Sequence, residues 1–269
     1  MQTDEYRRMF ELEERHWWFR AKRRMVYDLL RTWMPASGRR VVDVGCGTGV
    51  TLRDLPPGTL GIGLDPSVEA LQLSRSRGLL RLLRGAAEEL PIGSATADAV
   101  LALDIIEHVD DDVQALREVA RVLKPGGIAI LTVPAFPALW SAHDEALHHK
   151  RRYTRKLLEA RVAEAGLTTR LGGYGYASIF PPAALLRLLR RAGSGIRRPA
   201  GGGASQPRSD VSAGSDVRDL PGWLNTLAYA LLAWEVPFIR KGRLPVGLSL
   251  VCVVSPAGGE ARPPVADGP

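Results

Sequence analysis

The chain has 269 residues, 45% hydrophobic and 24% charged, an ordinary balance for one large core with smaller additions. Its two cysteines, Cys46 and Cys252, exclude a disulfide framework and fit a reducing cytoplasm. With a net charge of +7 and no run of about 18 or more apolar residues, the composition excludes a membrane span and favours an anionic partner.

The first 34 residues read as helical. Met25, Val26, Leu29, Leu30 and Trp33 recur at helix spacing, and Pro35 with Gly38 closes the segment. The N-terminus lacks an apolar h-region, so no signal peptide is expected. His16-Trp17-Trp18-Phe19 sets three aromatics side by side, which cannot share one helix face and predict a packed corner or part of a lid.

Next comes VVDVGCGTG. Val41, Val42 and Val44 form a short β-branched run suited to a buried parallel strand. Gly45, Gly47 and Gly49 follow at alternate positions and let the backbone approach a ligand where a Cβ would collide. The spacing is GxGxG, not GxGxxG, and no Lys-Ser/Thr pair follows as in a phosphate-binding loop. Asp43 lies inside the strand, where an acid needs partners.

Strand-like runs then alternate with helical patterns: strands at 40–44, 60–64, 79–83, 97–103 and 128–133, helices near 50–55, 67–77 and 112–123. That alternation predicts a parallel sheet covered on both faces, with its ligand crevice at the strand C-ends. Asp65 ends the second strand, about twenty residues past the glycines, where a ribose-binding acid belongs; it or Ser67 can also cap the next helix. Lys124-Pro125-Gly126-Gly127 reads as a turn that launches the fifth strand.

Residues 155–165 read as a helix stopped by Gly166, 168–176 as a strand, and 248–254 as a last strand. Between those two strands, 181–192 reads as a short basic helix. Residues 193–219 read as a disordered linker, and 223–239 as an apolar helix broken by Pro237. From Lys150 to Arg198 the basic side chains are opposed only by Glu159 and Glu164, a surface for an anionic acceptor or an acidic lipid face. Nothing resembles a nucleic-acid-binding module.

DVGCGTG resembles motif I of the class I S-adenosylmethionine (SAM)-dependent methyltransferases. Gly85-Ala86-Ala87-Glu88-Glu89-Leu90-Pro91 is similar to that family's GDAExLPF pattern, with Ala86 where an acid is common. Asp104-Ile105-Ile106-Glu107-His108-Val109 is similar to the LEHV segment of the superfamily that includes quinone-biosynthesis enzymes. WSAHDEALHHKRRYT, together with ERHWWFRAKRR, resembles a bacterial subgroup in which HDxxxxHxRRYT follows the fifth strand.

The resemblance implies an α/β fold: a Rossmann-like three-layer αβα sandwich on a seven-stranded mixed sheet of order 3-2-1-4-5-7-6, with helical caps. It implies SAM as methyl donor. Asp65 would take the ribose, with Asp43, Gly45, Cys46, Gly47 and Gly49 around the methionine part. Pro66, Ala87 and Glu88 would lie toward the adenine, and Leu103 and Asp104 near the methionine end. Helix capping is the other use of Asp104.

An oxygen or nitrogen acceptor needs a base within reach. Three of the five histidines lie after the fifth strand, where the chain should close over the crevice. His143 and Asp144 are the first candidates, His148 and His149 the second, and His108 is either catalytic or a buried structural histidine. His143, Asp144 and His148 also carry metal-ligand types at near-helical spacing, but HExxH is absent and no metal is expected.

The expected organisation is a helical cap over 1–38, a SAM-binding core over 39–174, an insertion over 175–247, the last strand over 248–255 and a mobile tail over 256–269. The expected activity is methyl transfer to a small or lipid-like, anionic acceptor in the cytoplasm, with contact to a membrane surface. The alternatives are a SAM-binding enzyme that does not methylate, of cyclase or decarboxylase type, and a silent binding subunit.

Overall fold

The computed structural model describes residues 3–34, 39–194 and 220–258. Two helices, α1 (Thr3–Leu12) and α2 (Trp17–Trp33), precede the alternating core: β1 (Arg40–Val44), α3 (Val50–Arg53), β2 (Leu60–Asp65), α4 (Val68–Ser76), β3 (Leu82–Arg84), β4 (Ala97–Leu103), α5 (Asp112–Val122) and β5 (Leu123–Pro134). After these come α6 (Ala142–Ala146), α7 (Arg155–Glu164), β6 (Leu167–Gly175), α8 (Phe180–Ser194), α9 (Gly222–Arg240) and β7 (Ser249–Pro256). The sheet order is β3-β2-β1-β4-β5-β7-β6, as expected. β1 to β5 pair in parallel, while β7 enters antiparallel between β5 and β6.

Strand side chains alternate between two cores, as the two-residue strand period requires. Val42 and Val44 of β1, Leu131 and Val133 of β5 and Cys252 and Val254 of β7 face α5 and α7, meeting Leu116, Val119, Leu158 and Val162. Val41, Leu101, Ile130 and Val253 face the other way, onto Met25, Val26 and Leu29 of α2 and Val236 and Ile239 of α9. Both caps are therefore built into the sandwich: α2 and α9 form part of one layer and meet each other over the β4–β5–β7 side.

Several elements differ from the sequence reading. The first segment is not one helix. It breaks at residues 13–16, and the His16 ring accepts the Trp18 N–H to cap α2. α9 runs on through Pro237 to Arg240 without a break, the proline giving up its own backbone hydrogen bond to the preceding turn. β5 begins at Leu123, so Lys124-Pro125-Gly126-Gly127 belongs to the strand. The register shifts on its partner between Ala97 and Ala99, and a Cβ on Gly127 would lie 3.1 Å from the carbonyls of Ala97 and Asp98. β3 starts at Leu82, three residues later than expected. The expected linker falls, beyond Ser194, outside the described residues, as does the tail beyond Gly258. Among the described residues no helix is long and apolar enough to cross a membrane.

Candidate active site

The turn after β1 is held in a shape that only glycine tolerates well. Gly45, Gly47 and Gly49 have φ of +72°, +55° and +78°. A Cβ on Gly45 would meet Ile105 Cδ1 at 2.0 Å, and one on Gly49 would meet Leu79 Cδ1 at 2.4 Å. The turn is tied to the end of β2 by the Asp65 carboxylate, which accepts the Gly47 N–H at 3.0 Å and the Ser67 N–H at 2.8 Å. Burial raises the Asp65 pKa, and these two N–H groups pull the other way.

Beside the turn opens a cleft of about 130 Å³. Its walls bring together five of the expected residues, Asp43, Gly45, Cys46, Gly47 and Leu103. Asp43 is 3% exposed, and burial lifts its pKa to about 7, with the Lys22 ammonium lowering it and the Asp65 carboxylate raising it. Burial also pushes the Cys46 thiol far up, so it is an inert small wall residue rather than a nucleophile.

The rest of the wall comes from the N-terminal cap, and its roles were not assigned from the sequence. Phe19, Lys22 and Arg23 of α2 and Met9 of α1 line the cleft. Lys22 Nζ donates to Asp104 Oδ2 at 2.6 Å and to the Leu103 carbonyl at 3.4 Å. The Tyr6 hydroxyl stands at Asp65 and Ser67, its pKa pushed up to about 12 by burial and by the Asp65 charge. Glu13, buried with Arg77 at 2.8 Å, also bonds the Thr48 hydroxyl and fixes the α1–α2 corner over the glycine turn. The signal available in the sequence was the ERHWWFRAKRR string, which contains Lys22 and Arg23.

Pro66, Ala87 and Glu88 do not line this cleft. They follow β2 and β3, whose ends pair at Asp65 and Arg84. Pro66 is exposed, Ala87 buried, and Glu88 half-buried with its carbonyl accepting from Gln114 Nε2 at 3.2 Å.

Asp104 sits at the C-end of β4 with φ +60°. Burial opposes its charge, but Lys22 and the Thr132 hydroxyl, 2.9 Å from Oδ1, hold its pKa below the ordinary carboxylate range. Next to it the structure gathers the loops after β4 and β5. His108 and His149 pack edge to face at 4.7 Å, with the Glu107 carboxylate beside them. Burial and the nearby His149 lower the His108 pKa to about 4, so its ring is neutral. The Tyr176 hydroxyl is buried without a hydrogen-bond partner and feels the Asp104 charge.

The two residues ranked first from the sequence part company. His143 lies half-buried on α6. Asp144 is fully buried and engaged: it accepts from Arg152 Nε at 2.6 Å, pairs with His149 Nδ1 at 2.9 Å and accepts the Ser141 N–H at 2.9 Å. Burial opposes its charge, yet His149 and Arg152 hold its pKa well below the carboxylate range. Such an acid positions its neighbours and is a poor proton acceptor. His148 is exposed with φ +56°. Tyr153, also buried, donates to Asp112 at 2.8 Å, so the RRY string fastens the segment after β5 to the core.

Residues 42–131 match the family model described as "Methyltransferase domain". A protein of Mycolicibacterium smegmatis described as a probable S-adenosylmethionine-dependent methyltransferase is 29% identical over 188 residues, 69% of this chain and 71% of that protein. An uncharacterized methyltransferase of Mycobacterium tuberculosis is 39% identical over 116 residues, 42% of this chain and 44% of that protein, so the match spans less than half of its length. A SAM-dependent methyltransferase structure from Thermotoga maritima superposes with a TM-score of 0.51 at 26% identity, covering 64% of this chain and 81% of that one.

Proposed function

We propose that this chain, a class I SAM-dependent methyltransferase by fold, motif and relatives, transfers the methyl group of SAM to an oxygen- or nitrogen-bearing small or lipid-like acceptor, releasing S-adenosylhomocysteine. One observation carries the reading. The glycine turn, which would clash on gaining a Cβ, and the buried Asp43 face one cleft, with the Asp65 carboxylate bonded to the turn. That donor set fits the cofactor. The Asp65 carboxylate takes a ribose diol once Tyr6 yields its place, Gly45 and Gly47 allow close backbone approach, Asp43 faces an ammonium, and Lys22 and Arg23 offer positive charge to a carboxylate.

SAM supplies an already activated methyl on a sulfonium. The protein's own contribution is therefore orientation and exclusion of water. Met9 and Phe19 roof the cleft. Lys22 ties α2 to Asp104, next to the site where the methyl would be presented. Incubation with labelled SAM and acceptor pools, followed by product analysis, tests the reading. Formation of S-adenosylhomocysteine is expected, and turnover of an acceptor without that product would replace transfer by a non-methylating reaction.

The acceptor's lipid-like character is supported by α9. Trp223, Leu227, Leu231, Trp234 and Phe238 form one helical stripe, with Trp223 72% and Trp234 66% exposed. Arg240, Lys241 and Arg243 stand at its C-terminal end. An apolar stripe ending in cations suits an anionic lipid surface from which an amphiphilic acceptor is drawn.

A further inference from the structure

We infer that Glu107, His108 and His149 form a binding site for a divalent first-row transition ion such as Zn2+, set against Asp104. One ligand atom from each lies within 4.8 Å of the others. Around a tetrahedral ion with bonds of about 2.1 Å, such atoms stand about 3.4 Å apart, so small side-chain rotations close the set. Two imidazoles and one carboxylate are the ligand combination of open, catalytic metal sites, in which further positions take water or substrate.

Two independent observations point to a ligand here. Glu107 is completely buried, and neither carboxylate oxygen has a hydrogen-bond partner. A buried carboxylate left in that state is costly unless something else engages it. His149 is presented as a metal-ligating histidine usually is: its Nδ1 faces the buried Asp144 carboxylate at 2.9 Å, which leaves Nε2 as the lone-pair nitrogen. Asp144 is in turn anchored by Arg152 at 2.6 Å. The His108 ring packs edge to face on the His149 ring with centroids 4.7 Å apart, which keeps the two imidazoles together.

This trio differs from the His143, Asp144 and His148 set suggested by spacing alone. In the structure Asp144 lies behind a ligand, and His148 is exposed. The buried Asp144–Arg152 pair thereby acquires a role beyond packing, as the support that holds His149 at a fixed angle.

The ion's place near the Asp104 carboxylate bears on the acceptor. A metal there lowers the pKa of a bound hydroxyl, which assigns the acceptor atom to oxygen. This last step rests on the methyl-transfer reading above, whereas the metal site does not.

Calorimetric titration of the full chain with Zn2+ tests the site, supported by a Co2+ titration followed in the visible spectrum. Saturation at about one ion per chain with micromolar or tighter affinity is expected. Glu107→Gln, His108→Gln and His149→Gln should each weaken it about tenfold or more while circular dichroism shows the fold retained. His143→Ala and His148→Ala should leave it unchanged. No saturable binding up to about 1 mM, or binding lost in His143→Ala or His148→Ala and kept in the trio variants, overturns the inference. A parallel titration with S-adenosylhomocysteine separates the two claims. Protein that binds that nucleoside normally but no Zn2+ overturns the metal site alone. Protein that binds Zn2+ through the trio but no nucleoside upholds the site and removes the methyl-transfer reading.

Discussion

Asp43 carries the sharpest consequence of burial at the scale of single residues. Its pKa is about 7 in the fold against 3.8 for an ordinary aspartate. Between those values the folded protein keeps a proton that the unfolded chain has lost, so stability should fall as pH rises from about 4 to 7 and level off above. Denaturant melts at several pH values check this, and Asp43→Asn should flatten the slope. Ligand binding should show the opposite trend. The charged carboxylate pairs with an ammonium, so affinity for S-adenosylhomocysteine should rise as pH passes about 7 in wild type and stay flat in Asp43→Asn. The groups facing Asp43 are Lys22, Asp65, Cys46 and Tyr27. Gly45, Gly47 and Asp65 were legible because each demand of the motif is local: a positive φ, a close approach, an acid one βα unit later. Lys22 and Tyr6 were not, since a lysine and a tyrosine on a helix carry no local mark of the strand end that they reach.

Among the elements, the segment from α6 to α7 is the most tightly specified. Asp144, Arg152, His149 and Tyr153 are held by one another, by the Ala135 carbonyl and by Asp112, all against the C-ends of β4 and β5. Asp144→Ala would leave the buried Arg152 guanidinium without its carboxylate. A loss of about 3–5 kcal/mol in unfolding free energy is expected, measured by denaturant titration, and a loss under about 1 kcal/mol would show the pair to be effectively solvated. The sequence showed that this string was unusual but pointed to its histidines and acid as reacting groups. Only the fold reveals that the acid faces inward, because neither burial nor partner geometry is written in spacing. The strands, by contrast, were visible to within a few residues, since their apolar runs answer directly to burial on two faces. The KPGG stretch misled because Gly and Pro mark a turn and a bulged strand start equally well.

Across the whole molecule, the sheet order followed from the alternation of elements and the family resemblance, while the arrangement of the caps did not. Nothing local says that a helix before residue 34 and one after residue 222 pack together, yet α2 and α9 share one core over β5 and β7. The Glu235 carboxylate joins them to the core's edge by accepting the Ala177 and Ser178 N–H groups at 2.8 and 2.6 Å. The outer stripe of α9 is thus displayed on a helix whose inner face is fixed. Trp223→Ser, Leu227→Ser and Trp234→Ser together should reduce co-sedimentation with anionic phospholipid vesicles and leave nucleoside affinity as it was. Vesicle binding unchanged in the triple variant would place the contact elsewhere.

Methyl transfer at this site requires that the cleft hold the nucleoside its glycines and carboxylates fit. Isothermal titration of the folded chain with S-adenosylhomocysteine should show about one site of micromolar affinity, near −8 kcal/mol, and Asp65→Asn should weaken it by roughly ten- to a hundredfold. Folded wild-type protein that gives no binding heat up to about 1 mM, or an Asp65→Asn variant that binds as tightly as wild type, would contradict it.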